Sequence, residues 1–404
     1  MKLVVWMNQM RSLAQFKGMV LPLDVPWRVI ARALEQHGVS NKQVIKRLKD
    51  QHEKRWQRLS GPRTVACATG VISLGTAFSG LNATYVALVH HNGLKIESKF
   101  CIEKDAGLQS FSQAVLKIPK SCEKHGDIGE MDPQTLPYVD IFQFSPPCTD
   151  FSNAGRKAGS SGETAALYKP CVSYIAAKEP IIWIYENVAS IKKQKRHKDY
   201  CEKMLKSFRR VASSGYLVTD FCLNSAKQCT SRMSRDRYFV VGVKKSHLKK
   251  KALRFQIPPT SRLRKLSEFI NFERVGTADD FPEDAVRLRN INHCLSQVGK
   301  PALTKTYFID GFASPTRPYY RQGLLPCLTA SRAQSGGHFI AGKLMRMTDV
   351  DEMVRFMNLH PYLSENWPDS EQLSARQFGH AIGNSIDALL LSKILGAALG
   401  MVDL

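Results

Sequence analysis

The chain has 404 residues, 43% of them hydrophobic, with 58 Lys and Arg against 35 acidic residues, a formal charge of +23. That length and apolar content suit one large globular domain plus a smaller one, and the charge excess points to a polyanionic partner, nucleic acid first. Ten cysteines without a CxxC pair argue against a zinc ribbon or disulfide scaffold and indicate a reducing compartment.

The N-terminal "MKLVVWMNQMR" has an apolar run too short for a signal peptide, and no later stretch reads as a membrane span. A cytoplasmic protein with no membrane partner is expected. Residues 1–65 form a separate helical extension. Val29, Ile30, Ala33 and Leu34 line one helix face, Gly38 turns, Ser40 caps, and Val44 and Leu48 line a second helix. A basic set from Lys42 to Arg58 covers the other faces. The pair is either a DNA-touching helix-turn-helix or an extension with a solvated basic surface. "LSGPRT" is the linker.

From about residue 70 strands and helices alternate. "VISLGTAF", "KIESKFCIE", "VDIFQFS", "PIIWIYENV", "YLVTDFCLN" and "DRYFVVGVK" read as strands; "NATYVALVHHNG" and "TAALYKPCVSYIAAK" read as helices. This alternation predicts an α/β, mostly parallel, doubly wound sheet, whose ligands bind at the carboxyl ends of the strands. The pattern fades after Lys244, and residues 246–335 read as a smaller domain without clear periodicity. Helices return over 348–359 and 383–399.

Three motifs at strand ends carry chemistry. Cys148 follows Pro146 and Pro147, which fix the backbone behind it, and Arg156 and Lys157 follow in the same loop. Such a cysteine is either a reactive thiolate or a structural thiol. Asp150, two residues on, raises the thiol pKa unless its carboxylate points elsewhere. Glu186 in "ENV" suits an acid that orients a heterocycle, or a helix cap. Arg235 and Arg237 lie two apart in extended backbone, so their side chains share a face suited to phosphate or carbonyl oxygens.

In this order the motifs resemble those of the cytosine-5 DNA methyltransferase family, from about residue 72 to the C-terminus. "GTAFSGLNA", "SPPCTDFS", "ENV", "RDRYFVVG", "PCLTASRAQSGGHFI" with "RMTDVDEMVRFMNLHP", and "FGHAIGNSI" carry the resemblance. It implies a Rossmann-like, S-adenosyl-L-methionine (AdoMet)-dependent methyltransferase sheet over 66–245, a target-recognition domain over 246–335, and C-terminal motifs over 336–404 that pack back on the sheet. Double-stranded DNA would lie between sheet and recognition domain. A cognate restriction system is an implied partner, the enzyme is expected to be monomeric, and no metal is implied.

The resemblance also assigns roles. Cys148 would attack carbon-6 of a flipped cytosine, Glu186 would bind the ring nitrogen and amine, and Arg237 would hold the ring carbonyl with Arg235 supporting the loop. Phe78 would pack on the adenine, Glu103 would bind the ribose hydroxyls, and Asp127 would accept from the adenine amine with Ile128 behind it. Ser79, Gly80, Pro147, Leu167, Asn384 and Ser385 would complete the AdoMet walls. The chain departs from the family at Asn82 and Ala83, where glycines are common, and at Met233, Met357 and the pair Thr149 and Asp150. RNA as the substrate, or a DNA-binding regulator with weak catalysis, are the alternatives.

Overall fold

The computed structural model describes Lys46 and residues 70–404, except 131, 153–158, 213–214, 229–230, 251, 253, 314–315, 360–362 and 364–372. The chain splits into two units, Met1–Arg63 and Thr64–Leu404. The expected N-terminal helices and linker, Lys46 apart, lie outside the described residues, as do Arg156 and Lys157.

Seven strands form the main sheet: β1 (Ile72–Ala77), β2 (Ile96–Ile102), β3 (Glu123–His125), β4 (Ile141–Phe144), β5 (Ile182–Val188), β6 (Tyr216–Asn224) and β7 (Asp236–Lys244). Their order is β3-β2-β1-β4-β5-β7-β6. The first five run parallel, whereas β7 is antiparallel to both neighbours. Among the described residues, helices of seven residues or more are α1 (Ala106–Val115), α2 (Tyr168–Lys178), α3 (Lys198–Ala212), α4 (Ala285–Val298), α5 (Val350–Phe356), α6 (Ala375–Asn384) and α7 (Ala388–Leu399).

Alternation along the strands builds two cores on opposite faces of the sheet. Ile182 and Ile184 of β5 and Phe239 and Val241 of β7 join Leu389, Leu390 and Ile394 of α7 in one. Trp183 and Tyr185, with Tyr238 and Val240, join Met204 and Phe208 of α3 in the other. Trp183 stacks on Phe208 at 5.2 Å between ring centroids. It also fixes Gly242 on β7, where a Cβ would lie 2.0 Å from the indole.

A second sheet has the order β11-β10-β8-β9, from β8 (Tyr307–Ile309), β9 (Tyr320–Gln322), β10 (Phe339–Ala341) and β11 (Arg346–Met347), all antiparallel. Ile291 and Cys294 of α4 pack on its Ile309 and Phe339. The expected boundary at residue 335 falls inside this sheet. None of its strands exceeds three residues, too short for sequence alternation to register.

The helix expected over 383–399 is two helices. Ser385 is extended (ψ 162°) and ends α6, and Asp387 caps α7 by accepting from the backbone N–H of Leu389 and Leu390. Together Ala375–Leu399 are long and apolar enough to cross a membrane, contrary to the sequence reading, yet most of the stretch is buried inside the protein. Its apolar residues are core for the sheet.

Candidate active site

The carboxyl ends of β1, β2, β4 and β5 open onto a single cavity of about 710 Å³. All fourteen residues assigned from the sequence line it, drawn from positions 78 to 385. It sits where neighbouring parallel strands β1 and β4 lead their loops apart, the usual ligand crevice of such sheets.

The loop after β1 has an irregular backbone. Phe78, Gly80 and Asn82 adopt φ of 56°, 51° and 52°. Left-handed backbone is strained for Phe, and such strain concentrates at binding sites. Asn tolerates it when its side chain bonds locally. Asn82 does so, accepting from Tyr85 N–H at 3.2 Å and donating to Cys101 Sγ at 3.4 Å. These bonds hold Asn82 in a left-handed backbone that glycine would adopt freely.

Glu103, just beyond β2, accepts from Gly80 N–H at 2.8 Å and from Asp105 N–H at 3.0 Å. Ser79 N–H donates to the Ile102 carbonyl at 3.0 Å, which ties the β1 loop to the same strand end. The Asp127 carboxylate accepts from Lys104 Nζ and Gly129 N–H, both at 2.9 Å. The Lys104 bond holds the Asp127 carboxyl below its usual range. Ile128 is buried behind it. Asn384 approaches His380 at 3.3 Å, and the carbonyl of Ser385 is held by Arg235.

On the other side, β4 runs into Ser145, Pro146, Pro147 and the half-buried Cys148. Asn187 of β5 donates to the Pro146 carbonyl at 3.0 Å and so fixes the backbone two residues before the thiol. Glu186 is a strand residue opposite Phe239, not a helix cap. Its carboxylate meets Arg237 Nε at 3.0 Å, with both side chains nearly buried. The antiparallel direction of β7 makes this contact possible. Only a reversed strand brings its first residues to the carboxyl end of β5, where Arg237 pairs with Val188.

Arg235 shares the cavity wall but has a different task. Its guanidinium donates to the carbonyls of Leu328 (2.7 Å), Gly383 (3.0 Å) and Ser385 (2.6 Å), and its side chain is buried. It braces the wall, while Arg237 faces Glu186.

Burial pushes the Cys148 thiol above the ordinary range, with the Arg237 charge opposing it and Glu186 adding to the rise. Burial likewise raises the Glu186 carboxyl, against the pull of Arg237 and then Arg235. Burial thus works on the acid and the thiol in the same direction, and the Arg237 charge opposes it at both.

Several contributors escaped the sequence reading. Ser145 donates to Glu186 and accepts from Gln143 at 2.6 Å, and Gln143 in turn accepts from Thr84 at 2.7 Å. Burial works to raise the Cys327 thiol, but Arg235 and Arg237 outweigh it and lower it. Ser145 and Cys327 both lie in motifs that carry the resemblance, "SPPCTDFS" and "PCLTASRAQSGGHFI", but neither was given a role.

A family model described as C-5 cytosine-specific DNA methylase matches residues 75–397. The chain belongs to the C-5 cytosine-specific DNA methylase family. Among relatives, Type II methyltransferase M.HaeII of Haemophilus aegyptius is 22% identical over 295 residues, covering 73% of this chain and 84% of that protein. M.NmeDI of Neisseria meningitidis serogroup C is 28% identical over 103 residues. That match spans 26% of this chain and only 24% of the relative, and the match to M1.ScrFI of Lactococcus lactis spans 28% of the relative. The fold is that of the Schizosaccharomyces pombe Dnmt2 methyltransferase structure, with TM-score 0.55, 14% identity, and coverage of 81% of this chain and 98% of that one.

For a member of this family the cavity fits AdoMet in its chemistry. Glu103 and Asp127 offer carboxylate acceptors for hydroxyl and amine donors, and Phe78, Ile128 and Leu167 offer apolar surface for a ring.

Proposed function

We propose that the protein transfers a methyl group from AdoMet to carbon-5 of cytosine in double-stranded DNA. The observation that carries this reading is the convergence of Cys148, Glu186 and Arg237 on the cavity that also holds Phe78, Glu103 and Asp127. One wall then serves the base and another serves the methyl donor.

Bound AdoMet supplies an electrophilic methyl group on a sulfonium. Carbon-5 of cytosine is too weak a nucleophile to accept it unaided. The Cys148 thiolate adds to carbon-6, Glu186 gives a hydrogen bond or proton to the ring nitrogen, and Arg237 donates to the ring carbonyl. The ring electrons then make carbon-5 nucleophilic. Methyl transfer would leave the donor sulfur as a neutral thioether; water would then take the carbon-5 proton as the Cys148 thiolate leaves, and the ring nitrogen would return its proton to Glu186, restoring the aromatic ring. The sulfur must reach a ring face that is stacked within a duplex, so the base is flipped out.

Duplex DNA as the substrate also agrees with the +23 charge. The reading includes a monomer. A companion restriction nuclease with the same target sequence is part of it.

Purified protein with labelled AdoMet is expected to methylate duplex DNA and not tRNA, and bisulfite sequencing reads the target context. Cys148→Ser is expected to abolish turnover and the covalent adduct with DNA containing 5-fluorocytosine. Full activity in that variant would overturn the assignment.

A further inference from the structure

Asp150 lies two residues beyond the nucleophile, yet its carboxylate turns away from the cavity. Cys148 and Thr149 line that cavity, whereas Asp150, only 3% exposed, is not among its lining residues. Its carboxylate accepts from Thr164 twice, from the backbone N–H at 2.9 Å and from the hydroxyl at 2.5 Å. Its own carbonyl accepts from Gly159 N–H at 2.9 Å. Gly162 packs directly on the carboxylate, and a Cβ there would lie 2.0 Å from Asp150 Cγ.

This one residue therefore joins two pieces of the cavity. The first is the tight turn whose backbone N–H groups at Phe151 and Ser152 both donate to the Cys148 carbonyl, at 3.0 and 2.9 Å. The second is the stretch from Gly159 to Leu167, of which Glu163, Thr164 and Leu167 form cavity wall. The turn is also held from behind, because Ser190 Oγ donates to the Phe151 carbonyl at 2.7 Å.

We propose that Asp150 is a positioning residue, which through Thr164 and Gly162 sets where the Cys148 turn sits against the opposite cavity wall. The proposal rests on the methyl-transfer reading for its kinetic consequence but not for its geometry. Asp150 does not touch the reacting atoms. It acts as a hydrogen-bond acceptor to Thr164, so a neutral acceptor of the same shape suffices. A carboxylate acting as a base or as a charge could not be replaced in that way.

Two measurements on the full-length protein test it. The first is the alkylation rate of Cys148 by iodoacetamide, mapped by mass spectrometry without DNA or AdoMet. Asp150→Ala is expected to release the turn and speed alkylation several-fold, while Asp150→Asn keeps the wild-type rate. Buried Cys171, at 0% exposure, reports unfolding in the same spectra. The second is methyl transfer to duplex DNA. Asp150→Ala is expected to lower kcat by about ten- to a hundredfold, as misplacement of a reacting group does. KM for AdoMet should move far less than kcat, and Asp150→Asn should restore the rate.

Thr164→Val should resemble Asp150→Ala in kind, and the double variant should be no worse than Asp150→Ala alone. Gly162→Ala, which places a methyl group on the carboxylate, should give the same kinetic signature. Wild-type alkylation of Cys148 in Asp150→Ala overturns the proposal whatever the substrate is. So does Asp150→Asn as impaired as Asp150→Ala while Cys171 stays protected. A wild-type protein that methylates no DNA, but shows the expected alkylation pattern, would leave the positioning role standing and sink the methyl-transfer reading.

Discussion

Cys148, Glu186 and Arg237 form one electrostatic unit, and its pH behaviour separates two roles for the acid. Burial raises both the thiol and the carboxyl, and the Arg237 charge pulls both down. Attack needs the thiolate. If Glu186 must also carry a proton, raising the pH between the two pKa values gains thiolate and loses protonated acid in equal proportion. The rate of adduct formation with 5-fluorocytosine DNA is then flat across that interval and falls on either side. A rate that climbs about tenfold per pH unit over the same interval would show that Glu186 acts ionised. Arg237→Ala removes the charge that lowers both groups, so the whole flat region should move to higher pH. A profile that keeps its position would show that the guanidinium does not govern either group.

At the scale of elements, the reversed strand β7 organises the site. It delivers Arg237 to Glu186 and places Arg235 two residues earlier, where it bonds three carbonyls from segments distant in sequence. Losing that guanidinium leaves two buried acceptors and one part-buried acceptor without this donor. Arg235→Ala should therefore destabilise the fold by about 3–5 kcal/mol, measured by urea unfolding. It should also weaken AdoMet binding through the shifted Ser385 wall. A change under about 1 kcal/mol would mean that water replaces the brace. The main sheet was legible because β1, β4 and β5 are apolar and bounded by loop residues. The three-residue β3, Glu-Lys-His, had no such signal although it orders the Asp127 loop. The paired arginines were visible as a pattern, but extended backbone alone suggested a shared target. Only the resemblance separated their tasks; in the structure Arg237 faces Glu186 of β5, while Arg235 spans the wall to carbonyls from residues 328 to 385.

For the whole molecule, the +23 charge excess stands beside acids that the fold itself engages. Asp140, Asp349 and Asp387 bond backbone N–H groups within the protein, as Asp150 does. Asp220 and Asp236 each meet a lysine of the pair Lys192 and Lys193. Exposed Lys203, Lys206, Lys249, Lys250 and Arg254 add to the positive surface. A second cavity, of about 610 Å³, is lined by Arg232, Arg262, Arg264 and Lys265 against a single carboxylate, Glu268. Contacts from such a surface to DNA phosphates release counterions, so affinity falls as a power of salt concentration. Duplex binding should weaken by about a thousandfold or more between roughly 50 and 200 mM salt, as expected for six or more phosphate contacts. AdoMet binding should change little over the same range, because a small ligand carries no polyanionic counterion atmosphere to release. Filter binding for DNA and calorimetry for AdoMet measure the two slopes. A DNA affinity that falls less than about tenfold would assign the positive surface to another partner and leave duplex recognition to contacts with the bases.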